Sequence, residues 1–204
     1  MVWDKERIKL MVAIPTRSYM HYWFVQSLLD LVEWLRDEGY NYEVRTQGET
    51  TTYLARDLLS QQAVGNAFTH ILWIDADMVF TPEHVKALFD ADKPFVTGIA
   101  AARREPYTIN IFKKLQPPER VEEFGDDLFE IDGVGMAFAL IETTILAEMR
   151  VKYKTWYFPF LTYTEDLAFC IRAKELGYKI YAQPKALIGH IADIVVTAER
   201  YRKK

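Results

Sequence analysis

From Ile8 to Ile14 the chain is mostly apolar before Pro15 stops it, the pattern of a strand covered on both faces. Phe24, Leu28, Leu31 and Leu35 then recur at three- and four-residue steps, which predicts a helix from about Met20 to Glu38, ended by Gly39. Tyr42 to Thr46 reads as a second strand, Gln47 and Gly48 as a loop, and Leu54, Leu58 and Gln61 to Ala63 as a second helix running towards Asn66. Ile71 to Ile74 is a third buried strand. Thr81-Pro82-Glu83 offers an N-cap, a proline at the first helical position and a first-turn acid, so a third helix starts there. Phe95 to Ala101 is a fourth strand. This alternation predicts an α/β fold with a parallel sheet and helices on its faces, and ligands in such sheets bind beyond the carboxyl ends of the strands. Pro15 to Arg17 and Asp75 to Asp77 fall there.

The second half is less regular. Tyr107 to Lys113 reads as a strand, and Gln116 to Asp127, with two prolines and an acidic excess, as an excursion or mobile loop. Gly133 and Gly135 interrupt the apolar run from Ile131 to Ile141, which suggests a bend where backbone approaches something closely. An aromatic stretch from Trp156 to Tyr163 precedes a helix from about Glu165 to Leu176, ended by Gly177. Lys179 to Ala182 and Ala186 to Ile191 read as two short strands, and residues 198–204 as a basic tail. With no internal repeat and no linker, residues 1–204 are expected to form one domain.

Composition narrows the function classes. Half of the 204 residues are hydrophobic and 26% are charged, an ordinary globular balance. Lys and Arg total 25 against 29 Asp and Glu, a net charge of -4, so generic binding to a nucleic-acid backbone is disfavoured. The single cysteine, Cys170, forms no internal disulfide and no zinc cluster, which points to a reducing, cytoplasmic setting. The first residues lack the layout of a secretory signal, and no apolar stretch approaches the length of a transmembrane helix.

Four constellations can carry chemistry. Asp75 and Asp77 are two apart after a buried strand, so both carboxylates can face one site; such oxygens suit Mg2+ or Mn2+, although an acid at a strand-to-helix turn also serves simply to cap it. Thr164-Glu165-Asp166 opens a helix. The two acids there either support the helix dipole or present a general base to an acceptor hydroxyl. His190 follows Gly189 at the end of a short apolar strand, as a structural residue or a metal ligand. Arg17, Arg45, Arg56, Arg103 and Arg104 lie near strand ends or loops, where a guanidinium forks onto phosphate or carboxylate or stays in solvent.

The ordered set Ala13-Ile14-Pro15-Thr16, Ala55-Arg56-Asp57, His70-Ile71-Leu72-Trp73-Ile74-Asp75-Ala76-Asp77, Asp132-Gly133-Val134-Gly135, Thr164-Glu165-Asp166-Leu167 and Gly189-His190 resembles a nucleotide-sugar glycosyltransferase of the GT-A type, with a DxD motif and family-2-like spacing. The resemblance covers most of the chain outside residues 116–127. It implies a single-domain, Rossmann-like three-layer sandwich with a mostly parallel central sheet. It also implies transfer of a sugar from a nucleoside diphosphate donor, UDP above all, to a hydroxyl acceptor. By that resemblance Pro15, Thr16, Arg17, Arg56, Asp57, Asp75, Gly133 and Gly135 bind the donor, and Asp75, Asp77 and His190 hold Mn2+ or Mg2+. Glu165 and Asp166 match the acidic pair beside the acceptor, the catalytic place where an inverting member keeps its base. Apart from the resemblance, Trp156, Tyr157 and Tyr163 near these carboxylates offer the apolar ring faces that a sugar needs and that any core also contains. Gln-x-x-Arg-Trp, the pattern of processive polysaccharide synthases, is absent.

Two rivals stand beside this reading. A sugar nucleotidyltransferase shares the layered fold, but Pro15-Thr16-Arg17 lacks the glycine-rich loop such enzymes need. A non-catalytic module that binds carbohydrate or nucleotide sugar keeps the fold without turnover.

Overall fold

Strand β1 (Lys9–Pro15) alternates Leu10, Val12 and Ile14 with Met11 and Ala13, and all five are buried, so both of its faces are covered. The computed structural model describes residues 5–17, 19–103, 106–159 and 162–192; Arg104 and the basic segment 198–204 lie outside them. After β1 come helix α1 (Tyr22–Asp37), strand β2 (Asn41–Gln47), helix α2 (Thr52–Gly65), strand β3 (His70–Ile74), the short strand β4 (Met78–Val79), helix α3 (Pro82–Asp90) and strand β5 (Phe95–Ala100). These match the expected alternation within a few residues at each end. Thr81 caps α3 with Pro82 in the first turn, and the His84 ring accepts the Thr81 N–H at 3.1 Å.

The second half holds strands β6 (Ile111–Leu115), β7 (Pro118–Arg120), β8 (Phe129–Ile131), β9 (Gly133–Val134) and β10 (Phe138–Glu142), helices α4 (Thr143–Tyr153) and α5 (Glu165–Glu175), and strand β11 (Ile180–His190). An eight-stranded sheet runs in the order β2-β1-β3-β10-β5-β11-β4, with β8 also paired to β11. β2, β1, β3, β5 and β11 point one way, while β10 is antiparallel to both of its neighbours. A second sheet, β7-β6-β9, contains part of the segment read as an excursion.

Two apolar clusters sandwich the large sheet. Leu10, Val12, Ile14, Leu72 and Ile74 pack with Phe24, Leu31 and Leu35 of α1 and with Val85 and Leu88 of α3. Met11, Ala13, Ile71 and Trp73 pack on the other side with Leu59 and Ala63 of α2, Ile145 and Met149 of α4, and Phe169 and Ala173 of α5. This is a three-layer α/β arrangement.

The structure corrects two element expectations. The two short strands near the C-terminus are one, β11, whose register against β5 breaks between Ala182 and Leu187. Pro184 sits in that break and has no N–H to donate, while the Gln183 side chain bonds the Ala87 carbonyl and the Lys185 N–H. Helix α4 was not anticipated at all.

Candidate active site

Because β1, β3 and β11 share a direction, Pro15, Ile74 and His190 end at the same sheet edge. The antiparallel pairing of β4 with β11 sets Met78 opposite His190, and the Ile191 N–H bonds the Asp77 carbonyl at 2.9 Å. Topology thus carries His190 to Asp77 across more than a hundred residues of chain. Their side chains meet, Nε2 to Oδ2 at 3.4 Å. His190 Nδ1 lies 2.8 Å from the Ala101 carbonyl, which can only accept, so Nδ1 carries a proton and Nε2 faces Asp77.

Beside this pair opens a cleft of about 1030 Å³ whose lining includes Pro15, Thr16, Arg17, Asp75, Asp77 and Arg103. Tyr19 and His21, and Glu49 to Thr52 beyond the end of β2, make up another part of its wall. Sequence reasoning missed that wall. The threonine run at the carboxyl end of a parallel strand was the available signal.

The two acids of the Asp75-Ala76-Asp77 segment have different partners. Arg103 Nη1 donates to Asp77 Oδ2 at 2.8 Å, the same oxygen that His190 approaches. Burial alone would raise the Asp77 carboxyl, but the His190 hydrogen bond and the His190 and Arg103 charges outweigh it and hold the carboxyl below its usual value. Burial lowers the His190 imidazole less than Asp77 and the Ala101 carbonyl raise it. Asp75 turns instead to Arg56, whose Nη2 donates to Oδ1 at 2.9 Å. Burial, opposed by Arg56 and reinforced by Asp166 and Asp77, pushes the Asp75 carboxyl up to about 6.

Arg56 does not face the cleft as expected; it is 1% exposed, beneath it. Its guanidinium lies over the Trp73 and Tyr157 rings at 5.3 and 5.8 Å, and its Nε stands 3.4 Å from Asp166 Oδ1. One buried cation thus serves Asp75 at the cleft floor and Asp166 in the first turn of α5. Burial, then the Asp166 charge, raises the neighbouring Glu165 carboxyl.

Asp57 does not take the donor-binding role that the resemblance implies, and Trp156 takes the core role and not the sugar-facing one. Asp57 accepts from the Trp156 and Tyr157 N–H groups at 3.3 and 2.8 Å and from Thr155 Oγ1 at 3.1 Å, so its carboxylate is spent on fastening a loop. Trp156 is buried, and its indole N–H donates to the Leu146 carbonyl at 2.7 Å. Gly133 is packing space: a Cβ there would lie 3.0 to 3.2 Å from the Leu115 and Leu167 side chains. Gly135 does lie near the site, lining a small cavity that His190 also lines.

Among the described residues, no three Asp, Glu, His or Cys side chains are grouped as a metal cluster. Of the expected trio, Asp77 and His190 meet side chain to side chain, while Asp75 gives its Oδ1 to Arg56. The pair still fits a divalent ion: donors about 2.1 Å from one centre and roughly at right angles stand about 3 Å apart, near the 3.4 Å seen here.

In sequence the chain matches no family model and no curated protein. In structure it is similar to A197 from STIV, with a TM-score of 0.61 at 17% identity over 91% of this chain and 87% of that one. It is similar also to GalNAc-T7 solved with UDP, GalNAc and Mn2+, with a TM-score of 0.63 at 10% identity. That match takes in 94% of this chain but 45% of the GalNAc-T7 chain. The fold is GT-A-like. The likeness is one of fold, and the cleft lies beyond the carboxyl ends of parallel strands, where open α/β sheets bind ligands. No helix among the described residues is long and apolar enough to cross a membrane.

Proposed function

We propose that the protein is a metal-dependent glycosyltransferase that moves a sugar from a nucleoside diphosphate donor, UDP-based, to a hydroxyl acceptor. The observation that carries this reading is the meeting of Asp77 and His190 at 3.4 Å beside a cleft large enough for a nucleotide. The solved GalNAc-T7 complex with UDP and Mn2+ supports the same choice of ligand.

Asp77 Oδ2 and His190 Nε2 would hold Mn2+ or Mg2+, with the rest of the ion's shell left to diphosphate oxygens and water. A bound ion would supply positive charge for the departing diphosphate. Arg103, 57% exposed at its side chain, can leave Asp77 at little cost and turn to the same phosphates, as can Arg17. Thr16 and the wall from Glu49 to Thr52 supply hydrogen-bonding groups for the nucleoside. At the acceptor side the Glu165–Asp166 pair takes the proton of the attacking hydroxyl. Arg56 anchors Asp166, and burial makes Glu165 a stronger base than a free carboxylate.

Isothermal calorimetry with UDP, with and without Mn2+, tests the reading on the parent chain and on Asp77→Ala. We expect Mn2+ to tighten UDP binding at least tenfold in the parent and to have no effect in the variant, the loss of one charged ligand being worth more than the ~1.4 kcal/mol of a tenfold change. Absent or metal-independent UDP binding in the parent overturns the reading.

A further inference from the structure

His190 has a second neighbourhood besides Asp77. On its other side lies a cavity of about 50 Å³, lined by Gly98, Ala100, Asn110, Gly135, Ala137 and Phe138. At roughly 10–15 Å³ for each water-sized occupant, it holds about four non-hydrogen atoms. That is room for a ring substituent and not for a sugar ring.

The lining states what kind of substituent. Most of it is apolar and small, and its polar side chains are His190 and the Asn110 amide, which has no hydrogen-bond partner among the described residues. The amide is held in place from below. A Cβ on Gly135 would lie 1.9 Å from Asn110 Nδ2, so the amide rests directly on that glycine. Backbone bonds from Asn110 N–H to the Ala100 carbonyl at 3.2 Å and from Gly135 N–H to the Asn110 carbonyl at 3.1 Å tie the two segments together. Glycine at 135 therefore leaves the space in which Asn110 presents one acceptor and two donors.

A lone hydroxyl would leave the apolar wall uncovered, and a carboxylate would set a full charge against that same alanine and phenylalanine surface. An acetamido group has four non-hydrogen atoms, a methyl for the alanine and phenylalanine surface, and an amide that pairs with another amide. Resting on the glycosyltransferase reading above, we infer that this cavity receives the acetamido group of an N-acetylated donor sugar and that Asn110 is the residue that recognises it.

The test is calorimetry in Mn2+ with four donors and UDP alone: UDP-GlcNAc and UDP-GalNAc against UDP-Glc and UDP-Gal. The parent chain is expected to bind at least one acetamido donor about fivefold to tenfold more tightly than its hydroxyl counterpart, the worth of one net hydrogen bond. Asn110→Ala is expected to bring that ratio to about one with the affinity for UDP unchanged, since Asn110 lies outside the nucleotide cleft. Gly135→Ala, which forces the Asn110 amide aside, should shrink the ratio in the same way. UDP binding with no preference between paired donors overturns this inference and leaves the glycosyltransferase reading standing. A preference that survives in both variants overturns the role of Asn110, and absence of UDP binding in the parent overturns both.

Discussion

A guanidinium buried to 1% exposure keeps its charge, because the two carboxylates beside it, Asp75 and Asp166, favour the cation more than burial disfavours it. Arg56 makes one good ion-paired hydrogen bond, to Asp75, while its Nε and Nη1 lack a bonding partner among the described residues. Such a group is a weak source of net stability, yet its removal is costly, since it strands two acids that were desolvated on its account. Arg56→Met should therefore lower unfolding free energy by about 3–5 kcal/mol, read as a lower urea midpoint with unchanged slope. Adding Asp75→Asn should restore part of that loss, because one stranded charge is then gone. A double variant no more stable than the single one would show that lost packing against Trp73 and Tyr157, and not charge, is what matters.

At the scale of elements, the fastening of residues 155–158 ties helix α2 to helix α5. Asp57 takes three hydrogen bonds from this loop and Arg172 donates to the Trp156 and Phe158 carbonyls at 2.8 and 2.6 Å, so a helix on each side grips it. Asp57→Ala leaves two backbone donors without their carboxylate and should cost about 2–3 kcal/mol, a fall in melting temperature of roughly 5–10 °C. UDP affinity should not change; a variant that melts normally but binds UDP weakly would return Asp57 to the ligand. This role was out of reach of sequence reading, because the partners are about a hundred positions apart and Asp57 follows Arg56 in a segment whose resemblance concerns the donor. Strands β1, β3 and β5 and helices α1 and α3 were legible, since each declares itself through its own apolar period, cap or stop. Helix α4 was not, because it is short and Val151, as apolar as the buried Ile145, Leu146 and Met149, is exposed and blurs the stripe. The direction of β10 was equally hidden: a strand buried on both faces reads the same whichever way it runs. Of the candidate site, Asp77, His190 and Asp75 fell at strand ends as expected, but their division between a histidine and a buried arginine depends on tertiary contacts alone.

For the whole molecule, burying both faces of the sheet carries an acid liability at the edge away from the cleft. His70 opens β3, is 8% exposed, and its Nδ1 lies 2.9 Å from Thr69 Oγ1. Burial holds its imidazole down to about 4, against an ordinary 6.5. Well above pH 6.5 neither the folded nor the unfolded chain protonates this ring, and its titration has no bearing on stability. As the pH falls below 6.5 the unfolded chain takes up a proton that the folded one refuses until about pH 4, so stability declines across that window. At pH 5 the loss from this one group is about 2 kcal/mol, a sizeable part of the roughly 5–15 kcal/mol typical of a folded domain. His70→Asn keeps a polar group for Thr69 and does not titrate. Between pH 7.5 and 5 its urea midpoint should fall less than that of the parent by the equivalent of that energy, and parallel curves for the two chains would show that acid enters elsewhere.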